Sequence, residues 1–137
     1  MIIRVKIKIM SDDVSTVAKI ILVDEEDRAL FLKRSTKNKK YPGEWDLPGG
    51  HLKRNESLLD GLAREVLEET NLTVRDPIFV TKIGKTHFFK AKYDSQPIKL
   101  SKEHTAYTFL SKKSLKIKNK RNKYRKIVLM VLEKEND

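Results

Sequence analysis

The sequence contains no cysteine among its 137 residues. This absence excludes a disulfide framework and any chemistry that depends on a thiol. It is compatible with a reducing cytoplasm, which is the location we expect. No apolar run approaches the ~20 residues that a membrane-spanning helix needs, so we expect no membrane partner. The start of the chain also lacks the apolar core and the cleavage site of a signal peptide.

Internal repeats and low-complexity linkers are also missing from the sequence. Charged residues make up 36% of the chain and hydrophobic residues 39%, a balance that is typical of globular proteins. A chain of 137 residues is long enough for one core of ordinary size. We therefore expect residues 1–137 to form a single domain.

Basic residues exceed acidic residues by 30 to 19, which gives a formal net charge of +11. Such a charge favours polyanionic partners, such as nucleotides or nucleic acid, and raises the rate of encounter with them. The alternative is a lysine-rich compositional habit in which most of the lysines are simply solvated. We favour this alternative over a dedicated nucleic-acid groove, although residues 112–126 form a dense basic run.

Apolar and polar residues alternate in several segments, which predicts strands. Residues 1–9 predict an edge strand that closes the sheet or pairs between subunits, so the protein is expected to be a monomer or a homodimer. Residues 11–13 form a polar break, and residues 14–23 and 29–33 predict a hairpin. Further strands are predicted at residues 45–47, 73–80, 82–93 and 105–110, and an amphipathic helix at residues 120–133.

A further helix is predicted after residue 57. Ser57 followed by Asp60 is typical of a helix start. Gly61 weakens the helix by ~1 kcal/mol, which predicts a close approach of a neighbouring strand. The predicted core face contains Leu58, Leu59, Leu62, Ala63 and Val66. The alternation of strands and helices indicates an α/β fold.

Three glutamates of this helix converge on one side. Glu68 and Glu69 follow Glu65 by three and four residues, and a helix turns once every ~3.6 residues. Like charges at this spacing destabilise an isolated helix. The cluster is therefore either a solvated face or a site for a hard cation such as Mg²⁺ or Mn²⁺, which prefers carboxylate oxygens.

The spacing over residues 50–72 decides between these two interpretations. The segment reads GHLKRNESLLDGLAREVLEETNL, and its Gly50, Glu56, Arg64-Glu65 and Glu68-Glu69 resemble the Nudix box in type and spacing. A surface ion-pair stripe does not explain these coincidences. Asn71 stands where the family has glycine. Asn tolerates the left-handed conformation that ends such a helix.

The resemblance to the Nudix hydrolases implies a fold and a reaction. The fold is an α/β/α sandwich with a mixed sheet and a loop-helix-loop motif. The reaction is hydrolysis of a nucleoside diphosphate linked to another moiety, with Mg²⁺ or Mn²⁺ as cofactor. The implied metal ligands are Gly49, through its carbonyl, Glu65, Glu68, Glu69 and Glu103. The implied catalytic residues are Arg64, Glu65, Glu68 and Glu103, and Glu56 and Gly50 support them.

Some of these assignments have an ordinary alternative. Glu103 is identified from its place in a loop, where a solvated glutamate is an equal explanation. Arg34, Trp45 and His51 are candidates for substrate binding, but solvation or core packing explains the first two at least as well. Tyr41, Phe88 and Phe89 are further stacking candidates, again with core packing as the default. His87 and His104 lack His-x-x-x-His spacing, so no zinc site is predicted.

The substrate class stays open at this point. We rank a nucleoside triphosphate or a related small nucleotide first, because the chain lacks signatures of one subfamily. Hydrolysis of an RNA 5′ end is second, which makes RNA a possible partner. A different class is a catalytically silent module that senses or binds a nucleotide. Such a module is expected to lose part of the charged set, yet Arg64, Glu65, Glu68 and Glu69 are all present.

Overall fold

The computed structural model describes residues 15–135. The strands are β1 (Val17–Val23), β2 (Ala29–Arg34), β3 (Trp45–Asp46), β4 (Gly49–His51), β5 (Ile78–Ile83), β6 (Thr86–Lys92) and β7 (His104–Leu110). The helices are α1 (Leu58–Thr70), α2 (Lys112–Leu115) and α3 (Arg125–Glu135). The strand predicted at residues 1–9 and the polar break at residues 11–13 lie outside the described residues. None of the helices within residues 15–135 is long and apolar enough to cross a membrane.

β1 lies inside a seven-stranded sheet with the strand order β3-β2-β1-β6-β5. β1 and β6 are parallel, whereas the other pairings are antiparallel, so the sheet is mixed as predicted. β4 pairs with the start of β1, where Lys19 lies opposite Gly49. β7 pairs with β2, where His104 lies opposite Arg34. These two pairings bring residues 47–57, which we call the box loop, and the start of β7 to one end of the sheet.

The sheet separates two apolar cores. Successive side chains of a strand point to opposite faces, so β1 and β2 each contribute to both cores. The core under α1 contains Ile20, Leu30, Leu62 and Val66, and the core under α3 contains Ile21, Phe31, Val128 and Leu132. The predicted α/β/α sandwich is therefore confirmed.

Helix α1 begins where the sequence predicts. The Ser57 hydroxyl accepts a hydrogen bond from the backbone N–H of Asp60 at 3.1 Å, which satisfies one of the free donors at the helix start. Gly61 is buried, and a Cβ at this position would collide with the Leu52 side chain. The close approach is therefore present, but it is to the loop after β4, where Leu52 lies, and not to a strand as predicted. This contact packs α1 against the loop that precedes it.

The predicted core face of α1 is wrong at two positions. Leu59 and Ala63 are exposed, because the sheet contacts the helix along a different stripe. The buried stripe runs from Leu62 through Val66 to Thr70 at a spacing of four residues. Leu58 is half-buried at its edge.

Several predicted boundaries also differ from the structure. Residues 71–77 are not in a strand, because Asp76 adopts a φ of 50°, which interrupts an extended chain. A turn at Gly84, with a φ of 59°, separates β5 from β6. The first described strand begins at Val17, and the last helix begins at Arg125 instead of residue 120. Helix α2 and strand β4 were not predicted.

Asn71 ends α1 in the predicted left-handed conformation, with φ 65° and ψ 16°. We expect Asn71→Ala to lower the free energy of unfolding by about 1 kcal/mol, because a residue without a local polar group pays the full cost of this conformation. Asn71→Gly is expected to be neutral or stabilising. Urea denaturation of both variants tests this, with the exposed Thr73→Ala as control. Equal stabilities of the alanine and glycine variants would contradict it.

Candidate active site

The Arg64 guanidinium connects the box loop to the glutamates of α1. Its Nε and Nη2 atoms donate to the two oxygens of Glu56 at 2.7 and 3.0 Å. Its Nη1 donates to Oε1 of Glu65 at 3.1 Å and to Oε1 of Glu68 at 3.1 Å. Nη2 also donates to the carbonyl of His51 at 3.1 Å. Arg64 therefore neutralises the clustered carboxylates and fixes the end of β4 against the helix.

Hydrogen bonding from Arg64 lowers the pKa of Glu56 from its usual range. The hydrogen bond with Glu56 is also the largest of the causes that raise the pKa of Arg64, and the hydrogen bonds with Glu68 and Glu65 add to it. Both groups are therefore fully charged at neutral pH, and the pair is bidentate. Glu68 takes part from a more open position, since 55% of its side chain is exposed.

Glu69 is buried, unlike the other glutamates of the cluster. Its Oε1 accepts a hydrogen bond from the backbone N–H of Gly49 at 2.8 Å. Burial raises the pKa of Glu69 to about 8, although the Lys19 ammonium opposes the shift. A buried carboxylate is costly unless a positive charge compensates it. A cation beside Glu69 would provide that compensation.

Lys19 supports the box loop from inside the sheet. Its ammonium donates to Oδ1 of Asp46 at 3.0 Å and to the carbonyls of Leu47 at 3.1 Å and Gly49 at 2.9 Å. The Gly49 carbonyl, which the resemblance assigns to a metal, thus already accepts one hydrogen bond. The role of Lys19 was not predicted from the sequence, although a lysine inside the apolar run of β1 was an available signal.

Lys19 and Asp46 form a buried ion pair. Burial disfavours both charges, but the Lys19 ammonium outweighs it and holds the pKa of Asp46 well below its usual range. Burial by itself would lower the pKa of Lys19. The negative charges of Asp46 and Glu69 outweigh this effect, so the pKa of Lys19 is raised. Since removal of one partner leaves an uncompensated charge, the pair strongly constrains the loop between β3 and β4.

We expect Lys19→Met to lower the free energy of unfolding by about 3 kcal/mol, because Asp46 stays buried without its cation. The double variant Lys19→Met/Asp46→Asn should recover part of the loss. Urea denaturation of the single and double variants measures both effects. A single variant as stable as the wild-type protein would show that the pair does not hold the loop.

Gly50 lies against the Glu65 carboxylate. A Cβ at this position would lie 2.6 Å from Oε2 of Glu65, whereas the backbone itself accepts any residue. We therefore expect Gly50→Ala to displace Glu65 and lower kcat by at least about tenfold with little loss of stability. At Gly84 an added methyl group meets nothing within 4 Å, but the φ of 59° is unfavourable for alanine. Gly84→Ala is therefore expected to lower stability and to leave kcat unchanged. An active Gly50→Ala enzyme would argue against a fixed position for Glu65.

A cleft of about 760 Å³ opens beside these residues. Its acidic lining includes the side chains of Glu65, Glu69 and Glu103, which we call the acidic wall, next to β4. Basic and aromatic side chains also line the cleft, namely Arg34, Lys40, Tyr41, Trp45, Lys123 and Tyr124. A volume of this size suits a nucleotide-sized ligand. The acidic side chains can bind cations, and the basic side chains can bind an anionic ligand.

The predicted substrate residues all reach this cleft. Arg34 donates to the carbonyl of Lys40 at 3.1 Å and contacts Asp46 at 3.4 Å, so it is held in place. Trp45 is half-buried against the α3-side core, and His51 is exposed at the rim. Phe88 and Phe89 are buried in the cores, so they pack there and do not stack on a substrate.

Tyr41 has the exposure that a stacking residue needs. It is 51% exposed, and the Lys123 ammonium lies 3.7 Å from the centre of its ring. Lys123 and Tyr124 precede α3 and were not identified in the sequence. No local pattern signals them, because only the packing of α3 on the sheet brings them to the cleft.

Glu103 lies at the start of β7 and is exposed toward the cleft. One ligand atom from each of Glu69, Glu103 and His104 falls within 4.8 Å of the others. The structure thus brings the predicted loop glutamate to the predicted helix glutamates. Glu68 and Glu56 do not line the cleft, and Arg64 connects both of them to Glu65, which does.

The sequence and the structure resemble known proteins. Residues 14–132 match the family model described as NUDIX domain. The chain is 31% identical over 107 residues to the m7GpppN-mRNA hydrolase NUDT17 of Danio rerio, covering 77% of this chain and 35% of that protein. It is 35% identical over 78 residues to the 8-oxo-dGTP diphosphatase of Buchnera aphidicola, covering 57% of this chain and 53% of that protein. The matches span between about a third and about half of the length of such curated relatives.

Solved structures show the same fold. The MutT protein of Methanosarcina mazei Go1 is 28% identical, with a TM-score of 0.72 over 89% of this chain and 94% of that one. The NUDIX domain of Shewanella oneidensis NrtR, solved with ADP ribose, is 16% identical, with a TM-score of 0.73 over 89% of this chain and 88% of that one. At this identity the second likeness concerns the fold alone.

Proposed function

Because the chain belongs to the NUDIX domain family, we propose that it is a divalent-metal-dependent pyrophosphohydrolase acting on a nucleoside diphosphate linked to another moiety. One observation carries this proposal. The cleft is lined by the carboxylates of Glu65, Glu69 and Glu103 together with basic and aromatic side chains, and its volume suits a nucleotide. Charges of both signs are what cation-assisted cleavage of a polyphosphate requires.

The residues on the acidic wall fit a divalent cation. Glu69 is a buried carboxylate with one oxygen bound to Gly49, and we assign its other oxygen to the ion. Glu65 and Glu103 contribute further oxygens, which Mg²⁺ and Mn²⁺ prefer. When bound, such a cation neutralises phosphate oxygens and acidifies a bound water.

The other residues position this set. Arg64 holds Glu65 and Glu68 in fixed orientations, and Glu56 holds Arg64. Lys19 keeps the loop before β4 in place. Either Glu65 or Glu103 orients or deprotonates the attacking water, because both carboxylates face the cleft. Arg34 and Lys123, which also line the cleft, bind phosphate, and Tyr41 is placed to stack on a base.

A nucleoside triphosphate or a related small nucleotide is our first choice of substrate. The cleft accommodates one nucleotide, and the similarity to an 8-oxo-dGTP diphosphatase supports this choice. The 5′ end of RNA is the second choice. It is favoured by exposed basic residues that precede Lys123 in the chain, namely Lys116, Lys118, Lys120 and Arg121. The similarity to an RNA pyrophosphohydrolase of Thioalkalivibrio sulfidiphilus, 40% identical over 67 residues, points the same way.

A substrate panel tests the proposal. It comprises nucleoside triphosphates, nucleotide sugars, ADP-ribose, dinucleoside polyphosphates and 5′-triphosphorylated RNA, each with Mg²⁺, with Mn²⁺ and with a chelator. We expect metal-dependent cleavage of a nucleoside triphosphate. Failure to cleave any compound, by a folded protein that binds Mg²⁺, would instead favour a nucleotide-binding module.

Salt dependence separates the two substrate classes. Binding that neutralises many RNA phosphates weakens steeply as salt rises, whereas binding of one nucleotide changes less. KM for the preferred substrate, measured between 50 and ~300 mM KCl, therefore distinguishes them. A steep slope would move RNA to the first position.

A further inference from the structure

The side chain of His104 is buried, and its ring nitrogens lie beyond hydrogen-bond distance of the described groups. It is the first residue of β7, where it lies opposite Arg34 of β2, and its side chain is 0% exposed. Within residues 15–135, neither ring nitrogen makes a hydrogen bond. Buried polar groups without partners are rare, since each one loses the hydrogen bonds that water would give it. This histidine therefore needs an explanation.

Asp46 is the nearest acidic candidate, but it does not need His104. Its Oδ2 lies 3.7 Å from Nε2 of His104, which is longer than a hydrogen bond. Its Oδ1 already accepts from the Lys19 ammonium at 3.0 Å and from the backbone N–H of Leu47 at 2.8 Å. Oδ2 also lies 3.4 Å from the Arg34 guanidinium. Asp46 is thus compensated, and it can orient the imidazole without depending on it.

Two further carboxylates near His104, those of Glu69 and Glu103, line the cleft. A ring nitrogen of His104 and one carboxylate oxygen each from Glu69 and Glu103 lie within 4.8 Å of one another. Ligands at about 2.1–2.4 Å from a shared ion lie at most about 4.8 Å apart. The three atoms can therefore surround one cation with little rearrangement.

We propose that His104 is a nitrogen ligand of the divalent cation held by Glu69 and Glu103, and that it favours a transition-metal dication over Mg²⁺. Imidazole binds transition metals well, whereas Mg²⁺ prefers oxygen ligands and water. Asp46, fixed by Lys19, faces the imidazole as the carboxylate that commonly orients a metal-bound histidine. The inference rests on the proposed metal-dependent function of the cleft.

The absence of His-x-x-x-His spacing does not exclude this site, because its ligands come from different elements. Glu69 is near the end of α1, and Glu103 and His104 are where β7 begins. Only the packing of α1 and β7 at one end of the sheet brings them together.

Pulsed electron paramagnetic resonance of Mn²⁺ bound to the full chain tests the proposal without measuring activity. We expect a nitrogen coupling that changes from a ¹⁴N to a ¹⁵N pattern when the protein contains [¹⁵N]histidine. His51→Gln and His87→Gln should keep the coupling, because these histidines are not in the triad, and His104→Gln should lose it. If His104→Gln does not fold, a ¹⁵N coupling that persists in the double variant His51→Gln/His87→Gln assigns the ligand to His104, because the sequence contains three histidines.

Calorimetric titration provides a second readout. We expect His104→Gln to weaken Mn²⁺ and Co²⁺ binding by about tenfold or more and Mg²⁺ binding by less than about threefold. Tight Mn²⁺ binding without histidine coupling, and with unchanged affinity in His104→Gln, would overturn the role of His104 and leave the proposed function intact. Absence of any Mn²⁺ or Mg²⁺ binding by the folded wild-type protein would overturn both.

Discussion

Glu69→Gln is expected to lower kcat by about a thousandfold, because a correctly held cation contributes several kcal/mol to stabilisation of the transition state. Glu68→Gln is expected to lower kcat by about 10- to 100-fold, because Glu68 does not line the cleft and supports Glu65 through Arg64. Glutamine keeps the size of the side chain but removes the charge that holds the ion. In Glu69→Gln the amide oxygen can still accept the hydrogen bond from Gly49, so the loop should stay in place. The loss is therefore expected in turnover and not in folding.

Stability measurements complete this prediction. Glu69 is buried, and an amide is less costly to bury than a charged carboxylate. Glu69→Gln is therefore expected to be at least as stable as the wild-type protein in urea. Glu133→Gln, an exposed substitution on α3, is the matched control and should keep full activity. Folded Glu68→Gln and Glu69→Gln variants with full metal-dependent activity would refute the assignment.

Arg64→Lys should lower kcat by about 10- to 100-fold, because residues that orient metal ligands typically matter to this extent. Lysine keeps the positive charge but has a single ammonium group. It cannot contact both oxygens of Glu56 and reach Glu65, Glu68 and the His51 carbonyl at once. Glu65 and Glu68 would therefore lose their fixed orientations.

A surface arginine provides the control for Arg64. Arg75 pairs with Asp94 at 3.4 Å, and 70% of its side chain is exposed. Arg75→Lys is expected to change neither turnover nor stability measurably, as is usual for exposed ion pairs. Glu56→Gln should resemble Arg64→Lys, since it removes the same bidentate contact. Wild-type turnover in Arg64→Lys would show that charge alone suffices at this position.

Features that depend on nearby residues could be predicted from the sequence. The start of α1 follows from Ser57 and Asp60, and its end follows from the tolerance of Asn71 for a positive φ. The helical spacing also puts Glu65 and Glu69 on the side of the cleft. The hairpin of β1 and β2 follows from alternating apolar residues.

Features that depend on packing between distant elements could not be predicted. Residues 73–76 contain β-branched side chains typical of a strand, yet Leu72 is buried near the end of α1 and Asp76 turns the chain. The role of Lys19 depends on the β1–β4 pairing, which places its ammonium under a loop 27 to 30 residues away. Lys123 and Tyr124 reach the cleft only through the position of α3.

Calorimetric titration of Mg²⁺ into the wild-type protein, Glu69→Gln and Glu133→Gln tests the central claim most directly, because it asks whether the acidic wall holds a divalent cation. We expect saturable binding to the wild-type protein and to Glu133→Gln, and affinity at least about tenfold weaker in Glu69→Gln. Equal affinity in all three proteins, or no binding to the folded wild-type protein, would contradict the account.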